Sequence, residues 1–180
     1  MRKFHNICVY CASSSRVDEG YITMADAVGQ LIASSGAALV YGGANVGLMG
    51  ACADAVLEKN GKVVGVMPRC LMEREVAHEG LTTLHITETM QERQKMMADL
   101  SDAFVVLPGG IGTLAEFFEI ITWRYLELHS KPIFILNHNE YWNHLIAMLE
   151  KSQQDGFLYR DLSDLVTVCD GFEDFRQYLS

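Results

Sequence analysis

The sequence predicts a Rossmann-like α/β fold: a doubly wound parallel β-sheet with helices on both faces. Three observations predict it. Short β-branched or apolar runs alternate strictly with longer segments of helical spacing, which implies right-handed βαβ crossovers. Two of those runs, 62–67 and 103–107, are apolar almost throughout, as strands covered on both faces are. Two glycine-rich segments each follow a run and lead straight into helical sequence, the connection by which such sheets present loops at the C-terminal ends of their strands.

The elements follow in chain order. The first strand, 6–10, ends in Cys11-Ala12-Ser13-Ser14-Ser15, and helical spacing runs over 21–35 up to Gly36, placed as a C-cap. A strand at 38–41 opens into Gly42, Gly43, Gly47 and Gly50, then a helix over 47–59 with Gly61 as its cap. The strand 62–67 is stopped by Pro68, and the Glu- and Arg-rich 68–80 reads as a helical turn and loop on the ligand-facing edge. After a strand at 81–86, Met90, Arg93, Met97 and Leu100 recur at three- and four-residue intervals and define a helix over 90–100. The strand 103–107 is stopped by Pro108, and a helix is expected over 113–128. Strands at 133–136 and 165–169 alternate with helices at 141–154 and 172–179. No linker interrupts this order, so residues 1–180 are expected to form a single Rossmann-like domain.

Composition narrows the function classes. Fourteen Lys plus Arg against 23 Asp plus Glu leave a net charge of -9, and no basic stripe breaks the excess. Tracking a nucleic-acid backbone needs clustered cations, so a polymer ligand is not expected. A single anionic ligand would have to be held by backbone N–H groups and one or two placed arginines. No apolar stretch approaches a membrane span, no signal-peptide pattern is present, and five cysteines at unrelated spacings suit a reducing compartment. A cytoplasmic address and no membrane association are expected.

Pro108-Gly109-Gly110-Ile111-Gly112-Thr113 follows a strand and opens a helix, and that is an anion site in prospect. The glycines let backbone approach a phosphate, and the first-turn N–H groups and the helix dipole favour negative charge. Thr113 and Glu116 also match a capping box, which would satisfy their side chains locally and leave the glycines unexplained. The second loop, with Gly43 at its centre, either faces the same ligand or only lets helix and sheet pack closely. Dinucleotide binding is disfavoured, because the strand 133–136 closes with Asn137-His138-Asn139 where an acidic residue should hold the ribose. Cys8 and Cys11, three apart on a strand, point to opposite faces and give no metal site. Met72, Met96, Met97 and Met148 read as core. Arg93 is open to a plain role, a surface salt bridge with Glu92 or Asp99.

Pro108-Gly109-Gly110-x-Gly112-Thr113-x-x-Glu116, with Met90-x-x-Arg93 and the loop from Tyr41 to Gly50, resembles the LONELY GUY family of cytokinin riboside 5'-monophosphate phosphoribohydrolases. Further similarity lies at Leu71-Met72, Arg74-Glu75, Ile121-Thr122-Trp123 and Lys131-Pro132. The resemblance implies hydrolysis of the N-glycosidic bond of a purine nucleoside 5'-monophosphate, AMP or an N6-modified AMP, to free base and ribose 5-phosphate. It implies Arg93 and Glu116 as catalytic residues, and substrate contacts at Ser13, Gly43, Glu75, Gly109, Gly110, Gly112, Thr113 and Thr122. It also implies a homodimer, with no cofactor and no metal. Gln91, Gln94 and Ala115 depart from the family's usual residues, as does Ala12. The alternative is a non-catalytic nucleotide or molybdenum-cofactor carrier of the same fold. The label lysine decarboxylase, common among bacterial relatives, does not fit, since a pyridoxal phosphate enzyme needs a Schiff-base lysine and all six lysines lie outside both glycine loops.

Overall fold

The computed structural model describes residues 4–72 and 77–179. Seven parallel strands form one sheet in the order β4-β3-β2-β1-β5-β6-β7. They are β1 (Asn6–Tyr10), β2 (Ala38–Tyr41), β3 (Val63–Pro68), β4 (Thr83–Thr87), β5 (Ala103–Val106), β6 (Ile133–Leu136) and β7 (Thr167–Cys169). The helices are α1 (Glu19–Ser35), α2 (Gly47–Glu58), α3 (Met90–Leu100), α4 (Ile111–Tyr125), α5 (Asn143–Gln154), α6 (Leu162–Leu165) and α7 (Phe172–Leu179). Two short 3-10 turns, Arg69–Leu71 and His138–Glu140, complete the described elements.

Alternation along the strands produces two cores. Ile7, Val9 and Cys11 pack with α1, α2 and α7, whereas Cys8 and Tyr10 pack on the other face with α3, α4, α5 and α6. The doubly wound arrangement is thereby present, and the paired cysteines do diverge. Strands β3 and β5, the apolar runs, are both interior. Strand order reverses between β1 and β5: β1 has β2 on one side and β5 on the other, so their loops run off to opposite faces and leave a crevice between them.

Several boundaries differ from expectation. Helix α4 begins at Ile111, not 113, because Gly110 takes the N-cap position, and past Tyr125 the left-handed Glu127 (φ 60°) turns the chain away. The first residues expected in β7 instead close α6, where Leu162 and Leu165 bury one face of a single turn. The residue with positive φ after α2 is Asn60 (φ 57°), while Gly36 (φ 78°) caps α1 as expected. Met97 is core, but Met72 and Met148 are exposed. Segment 68–80 supplies the 3-10 turn Arg69–Leu71; Glu73, Arg74, Glu75 and Val76 lie outside the described residues. No described helix is long and apolar enough to cross a membrane.

Candidate active site

Three strand-to-helix loops meet at the crevice and are tied to one another by backbone. Ala12 N–H donates to Pro108 O at 3.3 Å, and Met49 N–H donates to Ala12 O at 3.2 Å. Gly47 (φ 62°) lets the second loop lie directly on the first, since a Cβ there would sit 2.5 Å from Ser14 O. The resulting cleft holds about 300 Å³. Cys11 to Ser14 form one wall, Gly110 to Thr113 another, and Met49, Leu71 and Met90 supply an apolar side. Arg93 and Glu116 reach it from α3 and α4. A hollow of about 600 Å³ between α5 and α6 is larger, but it carries neither glycine turn nor buried charge, and the smaller cleft has the chemistry.

Capping separates two similar motifs. Thr89 and Glu92 form a capping box at the start of α3. Thr113 and Glu116 have the same spacing, yet α4 starts at Ile111, so Thr113 is already its third residue and no side chain caps the helix. The alternative of a capping box at Thr113 fails for that reason. The first-turn N–H groups of α4 are left as donors at the cleft.

Glu116 is turned to another use. Arg93 Nη1 lies 2.7 Å from Glu116 Oε1, with both side chains 5% exposed or less. The guanidinium also donates through Nε to Val66 O at 3.0 Å, which anchors it to β3. The alternative of a surface salt bridge for Arg93 does not hold: Asp99 pairs with Lys95, Glu92 is taken by the cap, and α3 rotates Arg93 inward with Met97. Phe117, fully buried beside Glu116, holds the rotation of α4. Leaving either member of a buried pair without its partner costs about 3–5 kcal/mol, so the pair is kept in register by its own energetics.

Nucleophilic cysteine chemistry has no support at the cleft. Burial, with Cys52 and Glu116 nearby, pushes the Cys11 thiol well up. On the opposite face burial and the neighbouring Cys8 and Glu116 raise the Tyr10 hydroxyl, so Tyr10 stays a neutral group beneath the pair. No group of three His, Cys, Asp or Glu side chains that could hold a metal occurs among the described residues.

Of the residues singled out from sequence, Ser13, Arg93, Gly110, Gly112, Thr113 and Glu116 come together around the cleft. Gly109 backs it, facing a smaller niche behind the loop. Gly43 does not line it: with φ 88° it packs over Met67 and Leu84, and its carbonyl accepts from His78 N–H at 3.0 Å. Thr122 is also elsewhere, exposed farther along α4 with its hydroxyl donating to Phe118 O. Glu75 lies outside the described residues. The sequence assigns no individual site role to Gly42, Met49 or Tyr141, although Gly42 and Met49 stand in the second glycine loop.

Known proteins resemble this chain over most of its length. A family profile described as possible lysine decarboxylase matches residues 49–179. The cytokinin riboside 5'-monophosphate phosphoribohydrolase of Rhodococcoides fascians is 44% identical over 169 residues, spanning 93% of this chain and 85% of that protein. The chain belongs to the LONELY GUY family. A second member, LOG5 of Arabidopsis thaliana, is 41% identical over 156 residues, covering 87% of this chain and 68% of its own. The molybdenum cofactor binding protein of Rippkaea orientalis superposes with a TM-score of 0.73 at 20% identity, over 99% of this chain and 96% of that one, which is a likeness of fold. For this LONELY GUY chain the profile's description does not suit the cleft, which no described lysine lines.

Proposed function

We propose that this chain hydrolyses the N-glycosidic bond of a purine nucleoside 5'-monophosphate, AMP or an N6-modified AMP, releasing free base and ribose 5-phosphate. The observation that carries the reading is the buried Arg93–Glu116 pair, placed one helical turn beyond a glycine-rich helix start at the strand-order switch. The identity to the Rhodococcoides fascians phosphoribohydrolase supports it, at 44%.

The 5'-phosphate sits on the N–H groups of Gly110, Ile111, Gly112 and Thr113, with the Thr113 and Ser13 hydroxyls beside it, and Gly109 shapes the turn. Held by its remote end, the ribose presents C1' to Glu116, so binding energy is spent on position. Water adds to C1' as the bond to the base nitrogen breaks; the electron pair leaves with the base, which takes a proton. Positive charge grows on the ribose ring, and the Glu116 carboxylate stabilises it and orients the water or the ribose hydroxyls. Arg93 holds Glu116 in place through their 2.7 Å contact. Met49, Leu71 and Met90 give the purine an apolar surface. Glu75 is a further proposed contact. Residues 1–180 act as one domain in this reading.

The test is incubation with AMP and isopentenyl-AMP and chromatography of the products. Base and ribose 5-phosphate in equal amounts are expected; nucleotide recovered intact by folded protein would refute the reading in favour of a carrier. A homodimer is proposed as well: Phe118 of α4 is half-exposed while Phe117 and Ile121 face the core, which leaves apolar surface for a second copy. Light scattering at micromolar concentration checks it. The five free cysteines, four of them buried, suit the reducing cytosol proposed as its address.

A further inference from the structure

Behind the glycine-rich turn lies a niche of about 140 Å³, lined by Val17, Tyr21, Leu48, Pro108 and Tyr141 and almost wholly apolar. The Gly109 carbonyl faces it. Gly109 is buried, and a buried carbonyl without a hydrogen-bond partner is costly. Tyr141, from the connection between β6 and α5, donates its hydroxyl to Gly109 O at 2.8 Å. The ring is braced edge-on by Tyr21 at 5.9 Å and by Trp142 at 4.7 Å between centroids.

The peptide that follows this carbonyl is planar and trans, so the Gly110 N–H points opposite to the Gly109 C=O. Gly110 lines both niche and cleft, and with the carbonyl held on the niche side the N–H turns toward the cleft side. Two successive glycines make this the peptide in the loop with the least intrinsic preference for one orientation, because neither flanking residue has a Cβ to restrict its rotation. Rotation by half a turn would put a carbonyl oxygen where the phosphate needs a donor.

We infer that Tyr141 is a positioning residue for the phosphate site, fixing the Gly109–Gly110 peptide so that Gly110 N–H faces the ligand. The inference rests on the phosphate assignment above. Tyr141 lies 32 positions from Gly109 in the chain and does not line the cleft.

Tyr141→Phe keeps the ring and removes the hydroxyl. The expected result is a rise of about three- to tenfold in the inhibition constant of ribose 5-phosphate, the size of one net hydrogen bond, with ribose itself inhibiting as before. The loss in turnover of AMP should appear in KM rather than kcat. In wild-type protein labelled with 15N-glycine, the Gly110 amide should shift on addition of ribose 5-phosphate, and in the variant that resonance should broaden. If wild-type protein binds ribose and ribose 5-phosphate alike and Gly110 does not shift, the phosphate assignment fails and this inference with it. If wild-type discriminates and the Phe variant discriminates equally, the phosphate assignment stands and the role of Tyr141 is overturned. A variant that loses both ligands together, with a lowered melting temperature, marks a structural role and also overturns it. Should the variant not fold, an unperturbed Gly110 resonance in the wild type still decides against it.

Discussion

Gly42 and Arg93 meet so closely that one added carbon has no room: a Cβ at Gly42 would lie 2.5 Å from Nη2 of Arg93 and 3.0 Å from Sδ of Met49. The glycine at the end of β2 therefore makes space for the guanidinium rather than touching a ligand. Gly42→Ala should displace the side chain that Val66 O and Glu116 hold. Overpacking of this kind costs about 1–3 kcal/mol of stability. Activity should fall by roughly tenfold or more, since 1.4 kcal/mol lost from the transition state is a factor of ten. Steady-state kinetics check it, and Arg93→Lys, which removes Nη2, should cost less in the Gly42→Ala background than alone. Equal costs in the two backgrounds would show that the residues are not coupled.

The pair itself separates stability from catalysis. Glu116→Gln should lower kcat by about 10²- to 10⁴-fold, the range of a positioned acid–base group, with ribose 5-phosphate binding retained. Arg93→Met alone removes the cation facing a buried carboxylate and should cost about 3–5 kcal/mol in a denaturant melt. Combining Arg93→Met with Glu116→Leu should recover most of that stability and no activity. If the single and double substitutions melt alike, the buried pair is not the source of the loss.

Much of this arrangement was readable before any coordinates. Alternating runs gave the sheet and both helix layers, because strand and crossover periodicities are local properties of the chain. The turn at Gly109 to Thr113 was readable for the same reason. The burial of Arg93 was not: its periodicity put it on one side of α3 with Met97, but only the crossing of α3 over β3 and α4 shows that this side is the interior. Thr89 and Glu92 have the same spacing as Thr113 and Glu116, and one pair caps while the other does not. The difference is where the helix begins, and Gly110, extended at φ -94°, decides that. Tyr141 was hidden altogether, since nothing local distinguishes a tyrosine whose partner is a distant carbonyl.

Thiol reactivity gives a prediction free of substrate. Burial pushes Cys8 and Cys11 well above the usual thiol range, and pushes Cys52 and Cys169 up to about 12. Thiolate is the reactive form, so these four should be inert in the native protein at pH 8. Cys70, exposed on the 3-10 turn after β3, should react alone. An aromatic disulfide reagent should count one thiol natively and five after denaturation, and Cys70→Ser should remove the native one. A second fast thiol would mean the cleft side of Cys11 opens in solution.

His129 supplies the pH dependence. Its Nε2 lies 3.0 Å from Ile120 O, and Lys131 N–H donates to its Nδ1 at 3.1 Å. Both bonds are satisfied by one neutral tautomer, with the proton on Nε2. Desolvation is the largest influence and takes its pKa below the ordinary 6.5; the Ile120 carbonyl pulls it up, and the nearby Lys131 and Arg124 charges lower it further. The unfolded chain then binds the proton more readily than the native one, so stability rises with pH through this window. The contribution is complete above about pH 6.5 and is lost as pH falls toward and through the native pKa. Melting temperature should therefore drop between pH 7.5 and pH 5.5, and His129→Gln, which offers an amide donor to Ile120 O and an oxygen to Lys131 N–H but no proton to gain, should flatten that part of the profile. A profile unchanged by the substitution would assign the pH dependence to other groups.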